Sequence, residues 1–238
     1  MAATPNKIRM YYEDPELALA NYNREGMQAW GSDQYLLDYI QDQASISDVV
    51  FDIETTELID EDQTLIADMD VSVASALVLG RPSEPGGTFQ RRLEVFWNNP
   101  ATGRGAPIRF LIHLLDHAAR IVAYNGYTFD LVVLARGDAE RLGHWRSKLF
   151  DPYRILLRSF SQSFKLDTLL KHNGLDPKTG TGVDAVAMWK RWTRSRDARE
   201  LETLQVYNER DTSALAALVM LQTVWVPGRG QTSAVSLR

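Results

Sequence analysis

The stretch from Ser47 to Thr56 constrains the fold most, because it combines a buried-strand pattern with two acids. Its letters are SDVVFDIETT, and β-branched and aromatic residues without a helical period predict a buried strand. Alternation puts Asp52 and Glu54 on one face, with Cα atoms roughly 7 Å apart. At about 5 Å, their carboxylates would repel by about 3 kcal/mol, which favours a divalent cation between them. An edge strand with two solvated acids is the alternative.

The composition indicates one globular domain with appendages. The 238 residues are 45% hydrophobic and 24% charged, as in ordinary globular proteins. The absence of cysteine excludes disulfides and thiolate metal sites. Residues 1–14 lack an apolar signal core, and residues 214–226 form too short an apolar run for a bilayer span. We therefore expect a cytoplasmic or nuclear protein that is neither secreted nor bound to a membrane.

The net charge of −5 is unevenly distributed along the chain. Residues 1–70 hold 16 acids and 3 Lys or Arg, whereas residues 136–199 hold 14 Lys or Arg and 7 acids. This asymmetry suits a protein that binds metal with one part and guides a polyanion with another, although it is also compatible with solubility alone.

Turn signals and periodicity divide the chain into three parts. Residues 1–45 are expected to form a helical N-terminal extension of two short helices, which could bind a protein partner. Residues 46–225 form the core, and residues 226–238 are polar and are expected to be a loose tail. Beyond the first strand, the strands expected in the core are Val71–Leu79, Leu93–Trp97, Ile121–Tyr124 and a short one over Lys148–Pro152 that ends in the acid Asp151. The expected helices begin near Pro107, Asp130, Lys165, Ala185 and Ala198.

Two further acids, Asp130 and Asp211, are candidates for a catalytic or metal-binding role. Asp130 follows a strand and an Asn-Gly turn and opens a helix, where the helix dipole favours a carboxylate; helix capping is the alternative. In the last helix, expected over 198–224, Asp211 lies in the same angular sector as Tyr207 and Leu218. An unpaired carboxylate on that apolar face would cost several kcal/mol, so it requires a cation, a hydrogen-bond cage or an active-site cavity.

Two other patterns have structural explanations of equal or greater weight. His113 and His117 have metal-ligand spacing, but without a third ligand a solvated helix face is favoured over a zinc site. Trp189 and Trp192 stand among basic residues and could stack on a single strand, although core tryptophans beside a solvated basic face explain the pattern as well. The basic residues are Lys190, Arg191, Arg194, Arg196 and Arg199.

Three stretches in order resemble the motifs of the DEDD superfamily of 3′-to-5′ exonucleases. They are FDIETT (51–56), YNGYTFD (124–130) and YNERD (207–211). The Tyr-x-x-x-Asp spacing resembles the tyrosine subgroup, which includes the proofreading domains of family B DNA polymerases and stand-alone relatives. The resemblance implies an α/β, ribonuclease-H-like fold, with a mixed sheet of about five strands flanked by helices.

The resemblance also implies a two-metal phosphodiester hydrolysis that releases nucleoside 5′-monophosphates from a 3′ end. According to this resemblance, Asp52 is a ligand of both of two Mg²⁺ or Mn²⁺ ions. Glu54 and Asp211 are the further ligands of one ion, and Asp130 is a ligand of the other. Tyr207 orients the attacking water. The implied substrate contacts are Thr55, Asn125 and Phe129. The implied partner is a nucleic acid with a free 3′ end, with DNA favoured over RNA.

Two alternatives compete with an exonuclease. The fold could be retained as a catalytically silent module that binds nucleic acid or protein, which the intact set of acids disfavours. A ribonuclease-H-fold endonuclease would share the clustered acids, but it would lack the Tyr-x-x-x-Asp pair.

Overall fold

The structure is a computed structural model that describes residues 47–58, 65–80, 90–97, 106–176, 181–221, 223–227 and 232–237. The expected N-terminal helices, in residues 1–45, lie outside these residues. Within the described ranges, no helix combines the length and the hydropathy that a bilayer crossing requires.

In the described part of the chain, six strands form one mixed sheet: β1 (Ser47–Thr55), β2 (Val71–Gly80), β3 (Gln90–Trp97), β4 (Ala106–Pro107), β5 (Arg120–Val122) and β6 (Leu149–Phe150). Their order across the sheet is β4-β3-β2-β1-β5-β6. β1 pairs antiparallel with β2 and parallel with β5, so it is an interior strand and the edge-strand alternative is wrong. β2 and β3 are antiparallel, whereas β5 and β6 are parallel.

Helices flank this sheet, which confirms the expected α/β fold class with six strands instead of about five. The first helix begins after Pro107, because that proline belongs to β4, and the last ends at Met220 instead of 224. The described α-helices are α1 (Ile108–His117), α2 (Asp130–Ala135), α3 (Ala139–Ser147), α4 (Pro152–Phe160), α5 (Leu166–His172), α6 (Gly182–Ser195) and α7 (Ala198–Met220).

The two faces of β1 pack into different cores. Phe51 and Ile53 are buried with residues of α1 and α2, and each such side chain stabilises the fold by roughly 2 kcal/mol. Val50 is buried on the opposite face, in a core that includes residues of α5 and α7. Strand alternation places Asp52 and Glu54 on this second face. The sequence pattern therefore aims both acids at the side of the sheet that α7 covers.

The expectation of a loose tail is wrong for the described residues 226–227 and 232–237. β7 (Thr223–Pro227) and β8 (Thr232–Ser236) form an antiparallel pair. Val226 and Leu237 are 1% and 5% exposed and join the core of α5 and α7. Asn173 adds two hydrogen bonds of 2.8 Å to the backbone of Trp225. Burial of alternate apolar residues, together with these bonds, orders this segment.

Three parallel strands bring functional candidates to one edge of the sheet. The carboxyl end of β1 carries Asp52 and Glu54, β5 leads into residues 123–129 ahead of Asp130, and β6 leads directly to Asp151. Open α/β sheets bind ligands at the carboxyl ends of their strands. This edge is where the candidate site lies.

Candidate metal centre at the carboxyl edge of the sheet

A β-bulge lies at the carboxyl end of β1, next to Glu54. Glu54 pairs with Val73 and Thr55 with Val71, so Ser72 is the extra residue. The Ser72 hydroxyl lies 3.0 Å from the backbone oxygen of Glu54 and 3.3 Å from that of Thr55. Bulges bend a strand and re-aim its side chains. This one lies directly beside Glu54, at the end of the strand.

Buried hydroxyl groups fix α7 to the sheet next to Asp211. The Oγ atom of Ser75 lies 2.7 Å from Oγ1 of Thr212 and donates to the backbone oxygen of Asn208 at 3.1 Å. All three residues are 1% exposed or less. Since Ser75 is the cross-strand partner of Asp52, these bonds hold the Asp211 segment of α7 against that acid.

The arrangement brings Asp52, Glu54 and Asp211 together. One carboxylate oxygen of each lies within 4.8 Å of the other two. Asp211 is 2% exposed and Glu54 8%, whereas Asp52 is half-buried, so the group is partly withdrawn from water. Clustered carboxylates repel one another in such surroundings, and their oxygens are the ligands that Mg²⁺ and Mn²⁺ prefer. The group therefore fits a divalent cation chemically.

Asn208 belongs to this centre, although the sequence did not single it out. Its Nδ2 atom donates to Oδ2 of Asp52 at 2.8 Å, and its backbone oxygen accepts from Ser75. It thus joins β1, β2 and α7 at the carboxylate group. The only signal in the sequence was a polar residue next to Tyr207, on a helix expected to be half buried.

Asp130 lies beside the group of three acids, as the first residue of α2. It is 4% exposed. Burial raises the pKa of its carboxyl well above the ordinary value, and the negative charge of Asp52 raises it further, while backbone N–H bonds, including one from Ile53, oppose the shift. The carboxylate of Asp130 therefore needs positive charge from outside the described side chains to ionise easily.

The turn before Asp130 is held by Asp151, which the sequence presented only as an acid ending a strand. Asp151 accepts hydrogen bonds from the backbone N–H groups of Asn125 (3.0 Å), Tyr127 (3.2 Å) and Arg154 (3.4 Å). Burial raises the pKa of its carboxyl, and these bonds oppose the shift. Gly126 lets the turn lie close to β5, because a Cβ there would be 2.5 Å from that of Ala123.

Tyr207 lies one helical turn before Asp211 and is 5% exposed. Burial raises the pKa of its phenol far above the ordinary value, and the charges of Glu54, Asp211 and Asp52, with a hydrogen bond to Asp211, act in the same direction. The phenol therefore stays protonated, so it can donate a hydrogen bond but cannot serve as a general base at neutral pH.

The three candidate substrate residues lie at this same edge of the sheet, and their side chains make different contacts within the protein. The Thr55 hydroxyl donates to the backbone oxygen of Glu57 at 2.6 Å. Asn125 has a left-handed φ of 65° and accepts from the Thr128 hydroxyl at 2.6 Å. Phe129 is partly buried against the core of α1 and α2. Their contact with a nucleotide stays a prediction.

The other candidate clusters are structural. The ring centres of His113 and His117 lie 4.3 Å apart, and Nδ1 of His117 is hydrogen-bonded to the backbone oxygen of His113 at 2.9 Å. Both residues are partly buried, so this helix face is not fully solvated. Trp189 and Trp192 are 8% and 3% exposed and pack together with Tyr207 in a third core. The basic face of α6 therefore offers no exposed tryptophan for stacking.

The chain belongs to the RNase H superfamily, whose family model RNase_H_2 matches residues 49–222. This membership confirms the ribonuclease-H-like fold expected from the sequence. Among curated proteins, no match was found.

Three solved structures show distant likeness. One is exonuclease I, at 15% identity and a TM-score of 0.40 over 74% of this chain and 44% of that one. An ExoI/SSB-Ct complex has 18% identity and a TM-score of 0.39 over 80% of this chain and 51% of that one. A zinc-bound E. coli ExoI-ssDNA complex has 17% identity and a TM-score of 0.35, also over 80% of this chain and 51% of that one. The chain thus spans about half the length of these structures.

Proposed function

We propose that this chain is a divalent-metal-dependent 3′-to-5′ exonuclease of the tyrosine subgroup, acting on single-stranded DNA and releasing nucleoside 5′-monophosphates. The observation that carries the proposal is the group of three carboxylates from β1 and α7, whose oxygens lie within 4.8 Å of one another. Membership of the RNase H superfamily and the three ordered sequence motifs support it.

The metal ligands in this proposal are Asp52, Glu54 and Asp211 for one cation, and Asp52 with Asp130 for a second. The raised pKa of Asp130 supports the second position, because a cation would offset the burial and the charge of Asp52. Bound cations would stabilise negative charge on the phosphate and lower the pKa of a water molecule.

The remaining residues orient the reacting groups. Tyr207, held protonated, orients the attacking water through its hydroxyl group. Asn208 holds one oxygen of Asp52 and so sets the direction in which that carboxylate faces. Thr55, Asn125 and Phe129 contact the terminal nucleotides in this proposal.

The test is the polarity of degradation. A 5′-labelled single-stranded DNA incubated with Mg²⁺ or Mn²⁺ should give a ladder that shortens from the 3′ end, and chelator should stop it. A 3′-terminal phosphate should slow the reaction, and an RNA strand of the same sequence should be degraded more slowly. Cleavage of a closed circular strand at a comparable rate would instead identify an endonuclease. No metal-dependent cleavage of any strand would identify a binding module.

A further inference from the structure

A cavity of about 240 Å³ opens beside the turn that precedes Asp130, at the end of β6. The side chains that give it its character are Tyr127, Arg146, Phe150, Asp151, Arg154 and Arg158. Its volume is below the range of cavities that enclose whole drug-sized ligands, so it suits a small group. Three guanidinium groups around so small a space indicate an anion.

No acid among the described residues forms an ion pair with the arginines of this cavity, Arg146, Arg154 and Arg158. Asp151, the acid of the cavity, instead uses its oxygens on backbone N–H groups. Arg154 and Arg158 are one helical turn apart on α4, where like charges repel, so a bound anion would relieve this repulsion.

Two of the three guanidinium groups, those of Arg146 and Arg154, are positioned before any ligand arrives. Arg146 donates from Nε and Nη2 to the backbone oxygen of Tyr127, at 3.2 and 2.7 Å. The Cζ atoms of Arg146 and Arg154 lie 4.0 and 3.4 Å from the centre of the Tyr127 ring. Because guanidinium groups already cover this ring, the cavity offers N–H donors more than a stacking surface, and planar N–H donors suit phosphate oxygens.

We propose that this cavity binds an internal phosphate of the nucleic-acid strand whose 3′ end lies at the carboxylate group. The inference rests on the proposed function. β6 is two strands from β1, and two strand spacings are roughly 10 Å, a distance that a strand could cover within a few nucleotides. The residues of the cavity also lie in the basic part of the chain, 136–199, except for Tyr127.

The first test measures binding of a fluorescent single-stranded DNA in chelator, where the strand is not consumed. Arg154→Gln/Arg158→Gln should weaken binding roughly 10-fold at moderate salt and reduce the slope of log Kd against log[salt] by about 0.7, the value for one lost phosphate contact. The matched control is Lys171→Gln/Arg199→Gln, which removes the same charge at exposed positions. Equal affinities and slopes in both variants would overturn the proposal.

The second test locates the phosphate with strands that carry one neutral methylphosphonate linkage at successive positions from the 3′ end. In the wild type, one linkage near the 3′ end should weaken binding most, and in the arginine variant this position should lose its effect, as expected for a coupled pair. A uniform profile, or one unchanged by the variant, would overturn the proposal. So would thermal protection by inorganic phosphate without any arginine-dependent binding of the strand.

The two proposals can fail separately. If the wild type binds DNA through these arginines but never cleaves it, the exonuclease proposal fails and the phosphate site stands. If it degrades DNA from the 3′ end and both charge variants bind alike, the phosphate site fails and the exonuclease proposal stands.

Discussion

The carboxylate group and the arginine cavity lie at the same edge of the sheet, yet their buried acids are satisfied in opposite ways. Asp211 faces the carboxylates of Asp52 and Glu54. Asp151, two strands away, faces three backbone N–H donors. A buried acid surrounded by N–H groups is a structural anchor, whereas a buried acid surrounded by acids requires a cation. The partners of each acid, more than its burial, distinguish the two roles.

The largest expected effect separates these two acids directly. Asp211→Asn removes a proposed metal ligand and should lower turnover by about 1,000-fold or more, while abolishing the rise in melting temperature expected of the wild type in Mn²⁺. Asp151→Ala removes a helix cap and the acceptor for the turn, so it should lower the free energy of unfolding by about 2 kcal/mol. Activity assays and melting curves, with and without Mn²⁺, measure both.

The contrast would break down if the two variants exchanged behaviour. If the stabilising effect of Mn²⁺ persisted in Asp211→Asn but disappeared in Asp151→Ala, the metal would bind at Asp151 and not at Asp211. Loss of stability in both variants without any change in the Mn²⁺ effect would make both acids structural.

The next effect concerns Tyr207, which touches the carboxylate group without being a ligand. Tyr207→Phe keeps the ring in its core and removes only the hydroxyl, so turnover should fall roughly 10- to 1,000-fold with little change in Mn²⁺ affinity. Turnover and Mn²⁺ titration of this variant and of Asp211→Asn, measured side by side, test the difference. Unchanged turnover in Tyr207→Phe would remove the tyrosine from the mechanism and the chain from the tyrosine subgroup.

The carboxylate group could be predicted from the sequence because its members lie on long, regular elements. Alternation in β1 put Asp52 and Glu54 on one face, and the period of α7 put Asp211 beside Tyr207 on the buried side. Such periods depend on the chain alone. The family resemblance then supplied the order of the motifs and the position of Asp130.

The features that were missed depend on partners from distant elements. In the sequence, Asn208 is an ordinary polar helix residue, because its hydrogen-bond partner Asp52 lies 156 residues earlier. Asp151 looked like a strand end, because the turn it holds comes from residues 24 to 26 positions earlier. The C-terminal hairpin looked loose, since its order depends on the core of α5 and α7. Short or irregular segments carry too little periodicity to predict such contacts.

The smallest expected effect is a gain in stability, and it concerns Asp130 in the absence of metal. Burial and the charge of Asp52 raise its pKa in the folded state above the unfolded value. The folded protein therefore favours the protonated carboxyl, so the stabilisation present at low pH is lost as the pH rises through the raised pKa. Asp130→Asn carries no titrating carboxyl there and should escape this loss.

In chelator, Asp130→Asn should melt at a higher temperature than the wild type at neutral pH, and the difference should shrink as the pH is lowered towards the acid range. In Mn²⁺ the order should reverse, because the wild type gains a cation that the variant holds less well. Asp176→Asn, which removes one exposed charge, is the matched control and should follow the wild type in both conditions. If all three proteins melt alike across the pH range in chelator, the acid at position 130 carries no electrostatic cost, and the argument for a cation beside it fails.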